Sequence, residues 1–348
     1  MAIDKRSWGL NSRVLGATFF TMSWINPWIF LIVLLFGCAT TRSPDVDAEI
    51  SNDAPSSAPF IRVLGVAQDG GLPHAGCTCP RCFAARKDEE RSSYVSSLGI
   101  LIPDQQKGYM IDATPDIVDQ LRLLEDVRAR GSGYIDRKPV DGIFLTHAHM
   151  GHYTGLAQLG FEALSTKETP IWCSPRMADF LKGNAPWNQL VSKKNILLNA
   201  TQPKVGVALP GDIVVTPFRV PHRAEYTDTY AFYIQGPTKR ALYIPDTSPW
   251  HAWEMPVEAI FEGVDIAFID GTFYSGKELP GRDITKIGHP LITDSMDLLQ
   301  NRVTSGNLKV VFIHLNHSNP ALDPSSPERK SLENRGFRVG KSGQDWQI

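Results

Sequence analysis

The sequence has almost no excess charge, few cysteines and no repeated segment. Lysine and arginine number 35 against 37 aspartate and glutamate residues, for a formal net charge of -2. This near-neutral balance excludes the strongly basic surface of a general nucleic-acid-binding protein. No heptad, solenoid period or low-complexity tract stands out, which excludes long coiled coils and repeat folds. The remaining composition is that of a globular protein, 42% hydrophobic over 348 residues, and it is enough for one large domain or two small ones.

The cysteines are five in number and unevenly placed. Cys38 and Cys173 stand alone, whereas Cys77, Cys79 and Cys82 form a Cys-x-Cys-x-x-Cys cluster. An odd count with three members crowded together argues against a disulfide framework. Three thiolates at this spacing suit a tetrahedral structural Zn²⁺ whose fourth ligand lies elsewhere in the chain. A redox pair and plain buried cysteines are the two alternatives, and Cys173, in a short apolar strand, is expected to be structural.

The N-terminus carries the pattern of a secretory signal. Basic residues precede a mostly apolar run from Val14 to Phe36, which is followed by Gly37 and Cys38. This ending resembles the lipobox of bacterial lipoproteins, which implies a lipidated Cys38 at the mature N-terminus. An uncleaved membrane anchor is the alternative, because the run is about long enough to span a bilayer. Both interpretations predict that the rest of the chain is extracytoplasmic and membrane-anchored, on the periplasmic side for a lipoprotein.

Composition divides the chain into three segments. Residues 1–38 form the signal or anchor, and residues 39–59 form a flexible linker rich in Ser, Thr, Asp, Pro and Ala. Residues 60–348 form a domain in which short apolar strands outnumber helices. We therefore predict an α/β fold in which two sheets pack as a sandwich with helices outside. The local predictions are a hairpin of Ser97 to Ile102 with Gly108 to Asp112, and helices from Asp116 to Arg128 and from Tyr153 to Leu164.

Three histidines lie within six residues, directly after the apolar run from Gly142 to Leu145. The run predicts a buried strand, and the residues after it predict the exit loop of that strand. His147, His149 and His152 cannot share one face of a regular helix or strand, but they can converge from a loop. Because neutral imidazole is the commonest metal ligand near neutral pH, the loop predicts a metal site. The alternative is a polar loop that happens to be rich in histidine.

Further histidines and aspartates recur where predicted strands end. A single residue of this kind is more often a cap or a surface group than a ligand. The repetition around one three-histidine loop favours a shared site, because active-site residues are commonly carried on loops from a rigid sheet. These residues are His222, Asp246, Asp270, His314 and His317.

Six residues resemble, in their order along the chain, the metal-binding set of the metallo-β-lactamase superfamily: His147, His149, His152, His222, Asp246 and His314. The resemblance implies a four-layer αβ/βα sandwich with metals at one edge of its sheets. It implies that His147, His149 and His222 hold a first metal. It also implies that His152 and His314 hold a second metal, with Asp246 as the bridge between the two.

Two more positions follow from this resemblance. Asp112 matches a supporting acid that lies behind the histidine loop, and an exposed turn residue is the alternative. Gly151 stands where the superfamily pattern has an aspartate before the third histidine, so the second metal site is expected to be weaker. The same aspartate commonly orients the attacking hydroxide, and its absence leaves the reaction class open.

Two families within the superfamily resemble the chain more specifically. The pyrroloquinoline-quinone (PQQ) biosynthesis protein B family shares most of residues 60–348, including the glycine-rich turn before the cysteine cluster and the run from His314 to Pro320. The cyclic phosphodiesterases of the carbon–phosphorus lyase pathway share the cysteine cluster, the histidine loop and the pair of His314 and His317. This likeness implies that His317 is the fourth ligand of the structural zinc. It also implies that His289 protonates the leaving group as a general acid, with a surface-loop histidine as the alternative.

These features predict a metal-dependent hydrolase that cleaves an ester of a small molecule, a phosphodiester or a lactone, by attack of metal-bound hydroxide. We expect one structural Zn²⁺ and one or two Zn²⁺ ions in the active site, where the ligands are also compatible with Fe or Mn. One alternative is a metal-dependent oxygenase, or another role in PQQ biosynthesis or transport. The other alternative is a non-catalytic lipoprotein that serves as a binding module. No nucleic-acid partner is expected, and the N-terminal lipid or anchor makes the membrane a partner.

Overall fold

Two seven-stranded sheets form the centre of the fold. The structure is a computed structural model, and it describes residues 57–128, 131, 133–223, 225–278, 281, 283, 286 and 288–348. Its strands are β1 (Phe60–Gly65), β2 (Ser97–Ile102), β3 (Lys107–Ile111), β4 (Gly142–Phe144), β5 (Thr169–Cys173), β6 (Ile196–Ala200), β7 (Val207–Leu209), β8 (Ile213–Arg219), β9 (Tyr230–Gln235), β10 (Arg240–Ile244), β11 (Ile266–Asp270), β12 (Lys309–Ile313), β13 (Arg338–Val339) and β14 (Asp345–Gln347). The first sheet has the order β14-β1-β2-β3-β4-β5-β6, and the second has the order β13-β12-β11-β10-β9-β8-β7.

Each sheet is antiparallel in one half and parallel in the other. In the first sheet β3 to β6 run parallel, and in the second sheet β10 to β13 run parallel. Leu98 pairs with Ile111 and Ile102 pairs with Lys107 across β2 and β3, so the predicted hairpin is confirmed. Because parallel strands end at the same edge of a sheet, the loops that leave β3, β4, β10, β11 and β12 gather at the carboxyl ends of the strands, where ligands of such sheets commonly bind.

Helices cover the outer face of each sheet. They are α1 (Pro80–Ala85), α2 (Ile117–Arg122), α3 (Met150–Tyr153), α4 (Pro175–Gly183), α5 (Trp187–Ser192), α6 (Ile292–Thr304) and α7 (Pro327–Asn334). In β1, Ile61 and Val63 pack between the two sheets, whereas Phe60 and Leu64 pack in the layer that contains α2, α4 and α5. This alternation follows from the two-residue period of a strand. A third apolar layer joins the second sheet to α6 and α7, so the predicted αβ/βα sandwich is confirmed.

Both helices that the sequence predicts beside the first sheet are shorter than predicted. The helix expected to reach Arg128 ends at Arg122, and the Arg128 guanidinium lies 2.7 Å from Asp136 in the loop that follows. The helix expected from Tyr153 to Leu164 becomes a 3₁₀ helix over Thr154–Leu159. There the backbone of Gly155 packs so closely on the exit of β3 that a Cβ atom would lie 2.1 Å from a carbonyl oxygen. Neither segment is therefore an α-helix over its whole predicted range.

The predicted signal or anchor (residues 1–38), its lipidated Cys38 and most of the linker (residues 39–59) lie outside the described residues. Within the described part of the chain, no helix is long and apolar enough to cross a membrane. The membrane tether therefore stays a prediction from the sequence.

Candidate metal centre

A first group of metal-ligating atoms converges on Asp246, directly after β10. Its Oδ2 atom lies 3.4 Å from His147 Nε2, 3.7 Å from His149 Nδ1 and 3.1 Å from His222 Nε2. His149 Nδ1 lies 2.8 Å from His147 Nε2 and 3.3 Å from His222 Nε2. Ligands about 2.0–2.1 Å from a tetrahedral metal are separated from one another by about 3.3 Å. The four side chains therefore fit one divalent metal ion.

The last two predicted ligands lie on the other side of the same carboxylate. His152 Nε2 and His314 Nε2 each lie 3.9 Å from Asp246 Oδ2. Both nitrogens are buried and have no hydrogen-bond partner in the described residues. Since leaving a buried polar atom unpaired costs about 1–3 kcal/mol, these orphaned nitrogens favour a second bound cation. The structure thus brings the five predicted histidine ligands together around one oxygen of the sixth, Asp246, and their role as ligands stays a prediction.

Asp69 also belongs to this second group, although it is not among the ligands predicted from the sequence. It lies in the glycine-rich turn after β1, and its Oδ1 atom is 3.4 Å from His152 Nε2 and 3.8 Å from His314 Nε2. Burial raises the pKa of Asp69, but the adjacent His152 and His314 rings outweigh burial and hold that pKa far below its ordinary value. One signal in the sequence points to it: Asp69 is an acid placed, like the other site residues, just after a strand.

Asp112 orients the histidine loop from behind. It is fully buried, which excludes the exposed-turn alternative. It accepts hydrogen bonds from the backbone and hydroxyl of Thr146 at 2.8 and 2.9 Å, and its other oxygen lies 2.8 Å from His152 Nδ1. The Thr146 hydroxyl in turn lies 2.9 Å from His147 Nδ1. Because each ring donates through Nδ1, its Nε2 atom faces the metal group, where the neutral form of the ring would bind a metal.

A second chain of hydrogen bonds orients His314. The Thr272 hydroxyl donates to Asp270 Oδ1 at 2.7 Å and lies 3.0 Å from His314 Nδ1. Asp270 also accepts from the backbone of Thr272 and of Thr247. Through the Thr272 hydroxyl, Asp270 helps to orient His314.

Electrostatics in the centre favour the metal-binding forms of His147 and Asp246. Burial, followed by the proximity of His152, lowers the pKa of His147 well below its ordinary value. Burial opposes ionisation of Asp246, but His314 and His289 hold the pKa of its carboxyl group well below the usual range. The result is a neutral imidazole beside an ionised carboxylate, which are the forms that bind metals.

His289 lies at the centre but outside the histidine ligand set. Its Nδ1 atom is 2.9 Å from Asp270 Oδ2 and 3.2 Å from Asp246 Oδ1. Burial lowers the pKa of His289, but these two carboxylates outweigh burial and raise it well above its ordinary value. The ring is therefore held as a proton donor, and its side chain is 15% exposed. The surface-loop alternative does not describe this position.

A separate group forms a zinc knuckle, made of Cys77, Cys79, Cys82 and His317. His317 Nδ1 lies 3.6, 3.9 and 3.6 Å from the Sγ atoms of the three cysteines in that order. Zn–S and Zn–N bonds of about 2.3 and 2.0–2.1 Å at a tetrahedral centre give S···N separations of about 3.6 Å. The backbone N–H groups of His74, Cys79 and Cys82 point at these sulfur atoms. Both the spacing and the N–H groups fit thiolates around Zn²⁺, and the ligand assignment stays a prediction.

Comparisons with known proteins show the family to which the fold belongs. Residues 108–315 match the family described as beta-lactamase superfamily domain. Coenzyme PQQ synthesis protein B of Gluconobacter oxydans is 25% identical over 303 residues, which cover 83% of this chain and 98% of that protein. The corresponding protein of Klebsiella pneumoniae is 25% identical over 315 residues, covering 82% of this chain and 96% of that protein.

Solved structures show the same fold. Zn²⁺-bound PqqB from Methylobacterium extorquens has a TM-score of 0.69 at 23% identity and covers 83% of this chain and 100% of that chain. A diphosphatase from the PhnP family has a TM-score of 0.58 at 18% identity, covering 83% of this chain and 97% of that chain. The family match spans more than half of the 348 residues. The resemblance found in the sequence is therefore confirmed, and the chain belongs to the beta-lactamase superfamily, close to the coenzyme PQQ synthesis B proteins.

Proposed function

We propose that this chain is a metal-dependent hydrolase that cleaves a small-molecule phosphodiester or lactone. In this proposal a lipid on Cys38 anchors the enzyme to the membrane. The observation that carries the proposal is the convergence of five histidines on Asp246 Oδ2, all within 3.9 Å. The five histidines and this carboxylate make six ligands, more than a single structural metal needs. They suit a two-metal hydrolytic site. Zn²⁺ is the proposed ion in this site and in the zinc knuckle.

The metal ions and three residues of the chain have separate roles in the proposed hydrolysis. Metal ions bound in the centre would activate water and polarise the oxygen of the scissile ester. Asp246 is placed to hold the two positions at a fixed separation, and Asp112 fixes the rings of the histidine loop through its hydrogen bonds. His289 carries a proton at the edge of the centre. Because its carboxylate contacts use Nδ1, Nε2 is the atom that would pass a proton to the leaving oxygen.

Hydrolysis of model esters by the full chain tests the proposal. We expect cell membranes that contain the protein to hydrolyse bis-p-nitrophenyl phosphate or a lactone, to lose that activity with a chelator, and to recover it with Zn²⁺ or Mn²⁺. Activity in the soluble fraction would contradict the tether alone. Absence of bound metal in the folded protein would contradict the hydrolase itself.

The role of His289 gives a prediction about leaving groups. In His289→Asn, kcat/KM for a phosphodiester with an alkyl leaving group should fall by about 10²–10⁴-fold, the usual contribution of a general acid. For a p-nitrophenyl ester the fall should be much smaller, because that leaving group departs without a proton. Steady-state rates with the two substrates measure the difference. Equal losses on both would show that His289 only positions the site.

A metal-dependent oxygenase is the second candidate function. It is favoured by the relatives named coenzyme PQQ synthesis protein B, which match over more than four fifths of this chain. Histidine and carboxylate ligands suit iron as well as zinc. Oxygen consumption by an iron-loaded sample, without ester hydrolysis by the zinc-loaded one, would decide for it.

A further inference from the structure

We propose that Asp69 is a ligand of the second active-site metal and supplies, from a different segment of the chain, the carboxylate that Gly151 lacks. The inference rests on the proposed two-metal function. The histidine loop has glycine directly before His152, where the superfamily pattern places an aspartate. The absence of a side chain at this position leaves space beside His152.

Asp69 fills that space. A Cβ atom built on Gly151 would lie 2.0 Å from Asp69 Oδ1 and 2.8 Å from Asp69 Cα. Neither distance is sterically tolerable, so a side chain at position 151 and the present position of Asp69 exclude each other. A carboxylate from the turn after β1 therefore occupies the space beside Gly151, 3.4 Å from His152 Nε2.

The position of Asp69 is set by the sheet. Its neighbour Gln68 donates a backbone hydrogen bond of 2.9 Å to the carbonyl of Leu315, and Leu315 donates one of 2.8 Å to Val66. These bonds join the exit of β1 to the exit of β12, which carries His314. Two ligands of the proposed second metal thus belong to adjoining backbone segments, and such rigid support is what a metal site needs.

The atoms of this group lack any other partner in the described residues. Asp69 Oδ1, His152 Nε2 and His314 Nε2 are all buried without a hydrogen bond. A protein rarely leaves three polar atoms unsatisfied at one point. A cation that binds all three atoms removes this penalty. Asp246 Oδ2 lies 3.9 Å from both nitrogens.

Metal stoichiometry separates this role from a plain ion pair between Asp69 and a protonated His152. Purified full-length Asp69→Asn keeps the size of the side chain and removes its charge. Elemental analysis after Zn²⁺ reconstitution should show about one zinc fewer per chain than wild type, with the knuckle zinc retained. Titration with Co²⁺ should show the second active-site equivalent weakened by at least about tenfold, the lower range for disturbed metal sites.

Asp116→Asn is the matched control. Asp116 lines the same cavity as Asp69, but its carboxylate accepts a hydrogen bond of 2.7 Å from the backbone of Val95. This variant should bind the wild-type number of metals. Wild-type metal affinity in Asp69→Asn would overturn the proposal, and so would a wild-type chain with a single active-site metal. Neither readout needs turnover, so two bound metals in a chain without hydrolytic activity would contradict the proposed function and leave this ligand assignment standing.

Discussion

Replacing Asp246 with asparagine is expected to release both active-site metals and to slow ester hydrolysis by about 10³-fold or more. The side chain is 3% exposed and lies within 3.9 Å of every histidine in the centre. Asparagine has nearly the same shape but no negative charge, so it cannot bridge two cations. Metal activation of water and substrate contributes several kcal/mol, and each 1.36 kcal/mol is a factor of ten in rate. Metal content and kcat/KM for a model phosphodiester measure the effect.

Asp141→Asn provides the control for that experiment. Asp141 is also a buried carboxylate, but it directly precedes β4, whereas the histidine loop follows that strand. There it pairs with Lys107 at 2.9 Å and accepts a backbone hydrogen bond from Gly108. Its loss should lower stability and leave metal content and activity unchanged. Full metal occupancy in Asp246→Asn would refute the bridging role, whatever the effect on rate.

The sequence predicts most of this centre because the relevant residues follow strands. A buried strand leaves its polar exit residue at the edge of the sheet, so Asp246 after β10 and His314 after β12 could be placed without knowing which strands are neighbours. The three-histidine loop after β4 indicated that the site binds a metal. These three elements share one edge because β4, β10 and β12 all lie in the parallel halves of their sheets.

The position of Asp69 after β1 is too weak a signal to identify it as a ligand from the sequence alone. The neighbours that matter to it, Gly151 and Leu315, are distant in sequence, and only the folded chain brings their backbones together. Read along the chain, Gly151 indicates a missing ligand. In the structure, the same glycine leaves the room that a ligand from elsewhere requires. A carboxylate that is absent at Gly151 can thus be replaced by the carboxylate of Asp69, which is distant in sequence but adjacent in the structure.

Backbone strain at the centre is also invisible in the sequence. Asp112 and His314 adopt φ angles of 70° and 59°, in the left-handed region that residues other than glycine rarely occupy. Such conformations cost of order 1–3 kcal/mol each and persist where surrounding contacts fix them. Both residues are fully buried and hydrogen-bonded. The strained backbone at Asp112 and His314 therefore lowers the stability of the fold, and both residues lie at the second metal group.

Loss of the zinc knuckle is expected to cause the largest change in stability. In Cys79→Ser we expect loss of about one zinc per chain and a fall in melting temperature of about 10 °C. The knuckle packs on only a small cluster of buried residues, Ala67, Leu72, Cys82 and Ala85. This cluster is too small to order its segment alone, so the metal supplies the ordering energy, which exceeds several kcal/mol for structural zinc. For a chain of this size, about 2 °C or more corresponds to each kcal/mol lost.

Cys173→Ser separates zinc loss from the loss of a buried sulfur. Cys173 is fully buried in β5, away from the knuckle, and burial raises the pKa of its thiol to about 12. Its replacement should lower the melting temperature through packing alone and should keep every metal. In Cys79→Ser the active-site metals should remain, because the backbone bonds between the exits of β1 and β12 hold Asp69 and His314 independently of the knuckle. Unchanged zinc content in Cys79→Ser would refute the knuckle, whereas loss of all metals would show that it supports the whole centre.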